Sequence, residues 1–392
     1  MAAPTDRQAR RLDGIPPTIF TRMSALAMRT GAINLGQGFP DQDGPASVIE
    51  RAAQALHQGA NQYAPGSGIL ELREAIAAHQ HAHYGIELDP RHEVVVTTGA
   101  TEAIAAAILG LVDPGDEVVV LEPWYDSYPA MIAFAGGVRR AVTLRGPDFR
   151  LDTDELRAAI TGRTKLLLIN SPHNPTGTVL DRAELQAIAD VAIEHDLVVV
   201  TDEVYEHLTF DDAVHVPLAT LPGMRERTLT LSSAGKMFSL TGWKIGWATG
   251  PRDLTAALMG AKQWLSFCSG SAFQPAIAHA LRHESGFYAR LREELRGNRD
   301  LLCAGLAELG MDVRVPEGTY FVCTDVAGLG WQDSAEFCQA LPERAGVVAI
   351  PAQGFYDDQV EGRHKVRWAF CKDTEVIAEG LSRLSSADLA RG

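Results

Sequence analysis

The chain has 392 residues, and its 35 lysines and arginines against 50 aspartates and glutamates give a formal net charge of −15. This length allows two domains, or one large α/β unit with an appendage, and a buried core that needs no disulfide. The acidic balance excludes a general affinity for nucleic acid or for an anionic membrane, so an anionic ligand needs a local positive site.

The five cysteines are widely spaced and form no C-x-x-C pair, so we expect neither a zinc ribbon nor a redox disulfide. This usage is typical of a reducing compartment and predicts a cytoplasmic location. Residues 1–12 are polar and lack the apolar segment of a signal peptide. The longest apolar run, 103–112, is about half as long as a membrane-spanning helix, so no transmembrane segment is expected.

Residues 94–250 alternate short β-branched runs with helical patterns. The predicted strands are apolar throughout, as strands covered on both faces are: 94–96, 118–120, 166–169, 198–200 and 229–231. The clearest helix is 182–194, where Asp181 can cap and Glu184 completes a capping box. This alternation predicts an α/β fold with a mainly parallel sheet between helices.

After residue 284 the pattern changes to a long charged helix over 287–309, followed by shorter strands at 319–322, 347–350 and 366–370. We expect a large domain over 46–285 and a small α+β domain over 286–392. The N-terminal segment 1–45 is expected to join the small domain.

Three short motifs are incomplete. The Gly-Ser-Gly at 66–68 lacks the third glycine and the preceding strand of a dinucleotide site, and residues 235–236 lack most of a P-loop. His79 and His83 lie four apart on a predicted helix, but the sequence shows no third ligand. We therefore interpret these two histidines as a solvated helix face and expect no metal.

Polar residues follow four of the predicted strands at their carboxyl ends, where open α/β sheets bind ligands. Gly99, Ala100 and Thr101 form a turn that opens a helix, so its free N–H groups favour an anion. The other candidates are Asn170, Asn174, Asp202, Tyr205, Ser233, Lys236 and Lys244. Each alone is compatible with an ordinary cap or turn residue. Together they fit a ligand with a phosphate, a protonated ring nitrogen and a carbonyl that forms a Schiff base with lysine.

Two segments, Ser-Ala-Gly-Lys at 233–236 and Thr-Gly-Trp-Lys-Ile-Gly at 241–246, resemble the lysine signature of class I/II aminotransferases. Asn-Pro-Thr-Gly at 174–177 is similar to another motif of that family, and the resemblance runs from residue 34 to residue 367. It implies fold type I, with a seven-stranded, mainly parallel sheet in the large domain, and the cofactor pyridoxal 5′-phosphate (PLP).

The resemblance implies roles around the cofactor ring. Lys236 forms the Schiff base with PLP and then moves the proton from Cα to C4′, for which its amine must be neutral. Asp202 pairs with the pyridinium nitrogen and keeps it protonated, so that the ring accepts electrons. Tyr205 and Asn174 hydrogen-bond the ring oxygen O3′, and Asn170 supports them.

The rest of the cofactor is assigned in the same way. The phosphate is expected to contact Gly99, Ala100, Thr101, Ser233 and Lys244. Tyr125 is expected to stack on the ring; Trp124 is the alternative, and family spacing favours Tyr125. Tyr63 resembles the tyrosine that reaches the phosphate of the neighbouring subunit, which implies a homodimer with shared active sites.

Substrate binding is expected to depend on Arg367, whose planar guanidinium can hold both oxygens of an α-carboxylate. Gly36 would add a backbone contact to the same carboxylate. Phe20, Gln353 and Phe355 are expected to shape the pocket for the substrate side chain. Gln353 stands where related proteins usually have a serine, so the pocket is expected to differ from theirs.

The implied activity is transfer of an amino group from an L-amino acid to a 2-oxo acid by a ping-pong mechanism. The segments 37–41, 202–208 and 318–321 resemble the branch of kynurenine, glutamine and methionine aminotransferases and actinobacterial N-succinyldiaminopimelate aminotransferases. A PLP-dependent C–S β-lyase, or another enzyme that forms a carbanion at Cα, is the alternative, since it would use the same lysine and aspartate. A non-catalytic regulator is less favoured, because such proteins carry an added DNA-binding region.

Overall fold

The computed structural model describes residues 9–15 and 17–391, so residues 1–8 of the polar N-terminal segment lie outside it. Its helices are α1 Ile19–Thr30, α2 Ala46–His57, α3 Leu70–Tyr84, α4 Gly99–Leu111, α5 Ser127–Ala135, α6 Thr153–Ala159, α7 Arg182–Glu194, α8 Ala234–Met237, α9 Arg252–Leu265, α10 Phe273–His283, α11 Ser285–Glu308, α12 Ser334–Ala345 and α13 Thr374–Ser385. Its strands are β1 Ile33–Asn34, β2 Val94–Thr98, β3 Glu117–Glu122, β4 Val138–Thr143, β5 Thr164–Asn170, β6 Val198–Asp202, β7 Thr228–Ser233, β8 Ile245–Thr249, β9 Asp312–Val313, β10 Phe321–Asp325, β11 Val347–Val348, β12 Ile350–Pro351 and β13 Lys365–Ala369.

Seven strands form the central sheet in the order β2-β8-β7-β6-β5-β3-β4. Six of its strands run in one direction, and β8 runs in the opposite direction. The predicted parallel α/β sheet is therefore confirmed, and all five predicted strands are present. The sequence pattern does not predict β4 or β8, because β4 is an edge strand with an exposed first half and Gly246 interrupts β8.

Both faces of the central sheet are covered. Alternate side chains of β3 and β5 pack against α4, α5 and α9 on one face: Val118, Val120, Leu166 and Leu168. The intervening side chains pack against α6 and α7 on the other face: Val119, Leu121, Leu167 and Ile169. This arrangement explains why the strands are apolar at every position rather than at every second one.

Helix α7 begins and ends where the sequence predicts. The Asp181 carboxylate accepts hydrogen bonds from the backbone N–H groups of Ala183 and Glu184, and the Glu184 side chain accepts one from the Asp181 N–H. These contacts satisfy N–H groups that have no partner within the helix. The predicted capping box is thus confirmed.

The C-terminal part contains the long helix α11, within two residues of its predicted bounds, and an antiparallel sheet in the order β12-β13-β10-β9. Strand β1 pairs in parallel with β11, which ties the N-terminal segment to residues 347–348. The domain boundaries at residues 45 and 285 stay a prediction. No helix in the described ranges is long and apolar enough to cross a bilayer.

Candidate active site

A cavity of about 210 Å³ lies where the parallel strands end, and we call it the strand-end cavity. Every residue predicted to bind the cofactor lines it except Tyr63. The residues converge because β5, β6 and β7 are adjacent and parallel and therefore end at the same edge. Five other lining residues were not predicted from the sequence: Ile104, Tyr128, Val204, Gly235 and Thr241.

One part of the cavity is suited to an anion. Helix α4 begins at Gly99, whose φ of 71° lies in the left-handed region, so the first N–H groups of the helix are presented at the turn. Lys244 precedes β8, which is antiparallel and so begins at the edge where the parallel strands end. A Cβ on Gly99 would lie 3.1 Å from Lys244 Nζ, so glycine lets the ammonium group approach this turn.

A buried carboxylate also lines the cavity. Asp202 ends β6, and the Tyr128 hydroxyl donates a hydrogen bond of 2.6 Å to its Oδ2. Burial raises the pKa of Asp202 to about 6, and the Tyr128 hydrogen bond opposes that rise. Asn170 donates to the Asp202 carbonyl over 2.8 Å and accepts from the Asn174 N–H over 2.8 Å. The carboxylate is thus held in place and is ionised at neutral pH, which complements a protonated ring nitrogen.

Lys236 lies on the short helix α8, and its Nζ donates a hydrogen bond of 2.6 Å to the Tyr320 hydroxyl. Tyr320 in turn donates to the Gly38 carbonyl over 2.8 Å. Burial lowers the pKa of the Lys236 ammonium to about 8. A neutral amine is therefore accessible near neutral pH, and this is the form that attacks a carbonyl carbon.

Tyr205 and Tyr320 pack edge to face, with ring centroids 5.2 Å apart, beside Lys236. Burial raises the pKa of the Tyr205 phenol, so its hydroxyl stays protonated and can donate a hydrogen bond. In the sequence, Tyr320 stands out only as part of the turn at 318–321. Its contact with Lys236 depends on the approach of the C-terminal part to α8, which sequence spacing does not reveal.

Arg367, on β13, is 2 % exposed and lies beside the cavity. Its Nη1 donates to Asn174 Oδ1 over 3.0 Å, and its Nη2 donates to the Gly36 carbonyl over 2.9 Å. Its Nε is buried and has no partner in the described part of the chain. The guanidinium lies 4.7 Å from the Phe20 ring and 5.6 Å from the Phe355 ring, which stack on each other. Arg367 is thus a buried cation with an unused donor, which suits a carboxylate.

The structure does not bring every predicted residue to the strand-end cavity. Tyr63 is 83 % exposed and packs edge to face with Phe267. Trp124, the alternative stacking residue, does not line the cavity and lies under the Arg139 guanidinium, whereas Tyr125 lines it. Gln353 is half-buried on the 3₁₀ turn Ala352–Phe355, which directly follows β12, and it lies outside the cavity lining.

The interpretation of His79 and His83 as a solvated helix face is wrong for His79. That side chain is 4 % exposed, whereas His83 is exposed. Nε2 of His79 lies 2.8 Å from Nε2 of His207, a residue that follows β6. The sequence interpretation failed because the partner comes from a segment more than a hundred residues away.

The side chains present fit PLP. The turn at Gly99 supplies N–H donors for a phosphate, and Lys244 supplies a cation beside it, where a Cβ on residue 99 would crowd the ammonium group at 3.1 Å. Asp202 is the buried partner that a protonated pyridine nitrogen needs, and Lys236 is the amine that its aldehyde needs. The fold and the site together define a fold type I, PLP-dependent aminotransferase.

Comparison with known proteins gives the same class. Residues 30–384 match the family model for aminotransferase class I and II, so the chain belongs to this family. It is 54 % identical over 385 residues to the probable N-succinyldiaminopimelate aminotransferase DapC of Mycobacterium tuberculosis, covering 96 % of this chain and 97 % of that protein. It is 41 % identical over 375 residues to the methionine aminotransferase of Escherichia coli, covering 95 % and 97 %.

The fold is also similar to that of a solved structure. The N-succinyldiaminopimelate aminotransferase of Mycobacterium tuberculosis superposes with a TM-score of 0.95 over 98 % of this chain and 100 % of that one, at 54 % identity. The protein is therefore an enzyme that uses PLP to transfer an amino group from an amino acid to a 2-oxo acid. The predictions of fold, cofactor and reaction class are confirmed.

Proposed function

We propose that the amino donor of this enzyme is N-succinyldiaminopimelate. The observation that carries this proposal is the 54 % identity to the Mycobacterium tuberculosis protein over nearly the full length of both chains. One of the segments that resemble this branch is 202–208. It begins at the last residue of β6 and continues beside the cavity. A 2-oxo acid would be the acceptor in the second half of the reaction.

The chain supplies the groups that bind and orient such a donor. Arg367 would bind the α-carboxylate through the N–H groups of Nη1 and Nη2 that Asn174 and Gly36 do not use. A carboxylate held at two points fixes the direction of the Cα–H bond relative to Lys236. The Gly36 carbonyl accepts a hydrogen bond from Arg367, so Gly36 orients the arginine in addition to the substrate contact expected from sequence.

Lys236 is the residue that transfers the Cα proton. Bound PLP supplies the electron sink that stabilises negative charge at Cα. With the cofactor and substrate bound, the neutral Lys236 amine, which burial favours, would accept the Cα proton. Asp202, ionised at neutral pH, would pair with the ring nitrogen, and the protonated Tyr205 would donate to the ring oxygen.

A donor with an apolar side chain, of the methionine or kynurenine type, is the second candidate. The stacked rings of Phe20 and Phe355, 5.8 Å apart, make an apolar wall beside Arg367. Such a wall favours a thioether or an aromatic ring over the carboxylates of an N-succinyl tail. The identity of 41 % to the methionine aminotransferase of Escherichia coli supports this candidate as well.

The half-reaction distinguishes the donors. The conversion of the PLP form of the enzyme to the pyridoxamine form is monitored by absorbance with N-succinyldiaminopimelate, methionine, kynurenine and glutamine, each at the same concentration. We expect N-succinyldiaminopimelate to give the fastest conversion. Faster conversion by methionine or kynurenine would favour the second candidate. Release of pyruvate and ammonia from a cysteine conjugate without any 2-oxo acid would instead indicate β-elimination.

The Arg367→Ala variant tests whether this arginine binds the α-carboxylate that all these donors share. Loss of two charge-assisted contacts, each worth about 1.5–3 kcal/mol, should reduce kcat/KM for every α-amino acid by about 10²–10⁴-fold. The absorbance of bound PLP should stay, because Arg367 does not line the strand-end cavity. An unchanged kcat/KM would contradict the assigned role.

We also propose a homodimer located in a reducing compartment such as the cytoplasm. The exposed Tyr63 and Phe267 rings form an aromatic surface, which suits contact with a second copy, and all five cysteines are unpaired. We further propose that the chain divides into an N-terminal segment 1–45, a large domain 46–285 and a small domain 286–392. The mass of the holoenzyme in solution tests the dimer, since a particle of 42.3 kDa would be a monomer.

A further inference from the structure

Three histidines from two distant segments meet outside the strand-end cavity. His79 and His83 lie one turn apart on α3, and His207 follows β6. One ring nitrogen from each of the three lies within 4.8 Å of the others. None of the three lines the cavity or contributes to the reaction described above.

The rings are in the chemical form that binds metals. Burial lowers the pKa of His79 to about 3 and the pKa of His207 to about 2, and the neighbouring histidines lower both further. The rings are therefore neutral at physiological pH, and neutral imidazole nitrogens are good ligands for zinc and similar divalent ions.

The spacing of the nitrogens is close to that of a tetrahedral zinc site. Zinc–nitrogen bonds of about 2.0–2.1 Å place neighbouring ligand nitrogens about 3.3 Å apart. The observed Nε2–Nε2 distance between His79 and His207 is 2.8 Å, and the largest separation in the cluster is 4.8 Å. His83 is exposed, so its side chain can turn towards the other two and a water can take the fourth position.

The surroundings hold two of the rings in place. The His207 ring stacks on Tyr288 with centroids 4.1 Å apart and planes 4° apart, and His79 packs edge to face against the same tyrosine. Nδ1 of His79 is buried without a hydrogen-bond partner in the described part of the chain, so the polar contact that orients this ring is the one between its Nε2 and His207. Rigid ligand side chains lower the entropy lost on binding.

We propose that His79, His83 and His207 bind one zinc ion per chain. The ion would replace the hydrogen bond between the two Nε2 atoms; the ring that carries the shared proton shifts it to Nδ1, and three Zn–N bonds form without oxidation or reduction. The ion would tie α3 to the segment that follows β6. Asp202 and Tyr205 lie five and two residues before His207 in that segment, so zinc would stabilise the region that holds the cofactor.

The experiment is a zinc titration of the tag-free PLP holoenzyme after treatment with a chelator, in competition with a chromophoric chelator. We expect one zinc per chain and a rise in melting temperature with zinc. His83→Ala removes an exposed ligand without disturbing the core, and should weaken zinc binding at least tenfold and abolish the rise. His207→Asn should do the same.

His283→Ala is the matched control. His279 and His283 have the same four-residue spacing on α10 and ring centroids 4.7 Å apart, but no third ligand joins them among the described residues. This variant should bind zinc as the unchanged enzyme does. Absence of bound zinc in the unchanged enzyme, equal affinity in His83→Ala, or an equal loss in His283→Ala would each overturn the proposal.

Discussion

Replacing Lys236 with alanine is expected to lower kcat by about 10⁴-fold or more, because it removes both the nucleophile that holds the cofactor and the base that moves the proton. The absorbance band of lysine-linked PLP should disappear, while PLP that is bound only through contacts near Gly99 and Lys244 can still be retained. Absorbance spectra and steady-state rates measure the two effects separately. A Lys236→Ala enzyme that keeps full activity would refute the role of Lys236 as nucleophile and base.

The pH dependence gives a second readout for Lys236. The pKa of the free ammonium is about 8, and only the neutral amine reacts with an aldehyde, so the rate at which apoenzyme takes up PLP should rise as the pH increases through 8. Lys165→Ala is the matched control, since Lys165 is exposed on β5 outside the cavity. It should show the same spectrum, rate and pH profile as the unchanged enzyme.

Replacing Asp202 with asparagine should lower kcat by about 10²–10⁴-fold, with weaker binding of PLP. The substitution keeps the size of the side chain but removes the charge that keeps the ring nitrogen protonated, so the ring becomes a poorer acceptor of electrons. Single-turnover rates of the amino-acid half-reaction and the dissociation constant of PLP measure the two losses. Turnover equal to that of the unchanged enzyme would contradict the role of Asp202.

Tyr128→Phe provides a graded version of this test. The Tyr128 hydroxyl lowers the pKa of Asp202 through its hydrogen bond, so its removal should raise that pKa above about 6. Asp202 is protonated below its pKa and then loses its charge. As the pH falls, the variant should therefore lose kcat at a higher pH than the unchanged enzyme, with little difference at pH 8.

Local sequence patterns predicted two kinds of element: helices with local capping contacts and strands that are apolar at every position. The α7 capping box lies within four consecutive residues, and β5 is buried on both faces, so both are visible in the sequence. β8 is not, because a strand with an internal glycine depends on its neighbours for stability. Its antiparallel direction could not be predicted either, although that direction is what places Lys244 beside Gly99.

The candidate site was predicted mostly from residues at strand ends and from the family resemblance they carried. Asn170, Asp202 and Ser233 each follow a recognisable strand, and a parallel sheet brings such residues together. Tyr128 and Tyr320 were missed, because each reaches the site from an element whose position depends on packing. His207 was missed as a neighbour of His79 for the same reason.

The amino-acid pattern therefore predicts the α/β class, the residues at the ends of the parallel strands and, through their resemblance to a family, the cofactor and the reaction. These features depend on periodicity and on short motifs, which are continuous in the chain. The pKa values of Lys236 and Asp202, the hydrogen-bond partners of Arg367 and the contact among three histidines depend on the folded chain. Burial and long-range contact set those properties, and neither is encoded in local spacing.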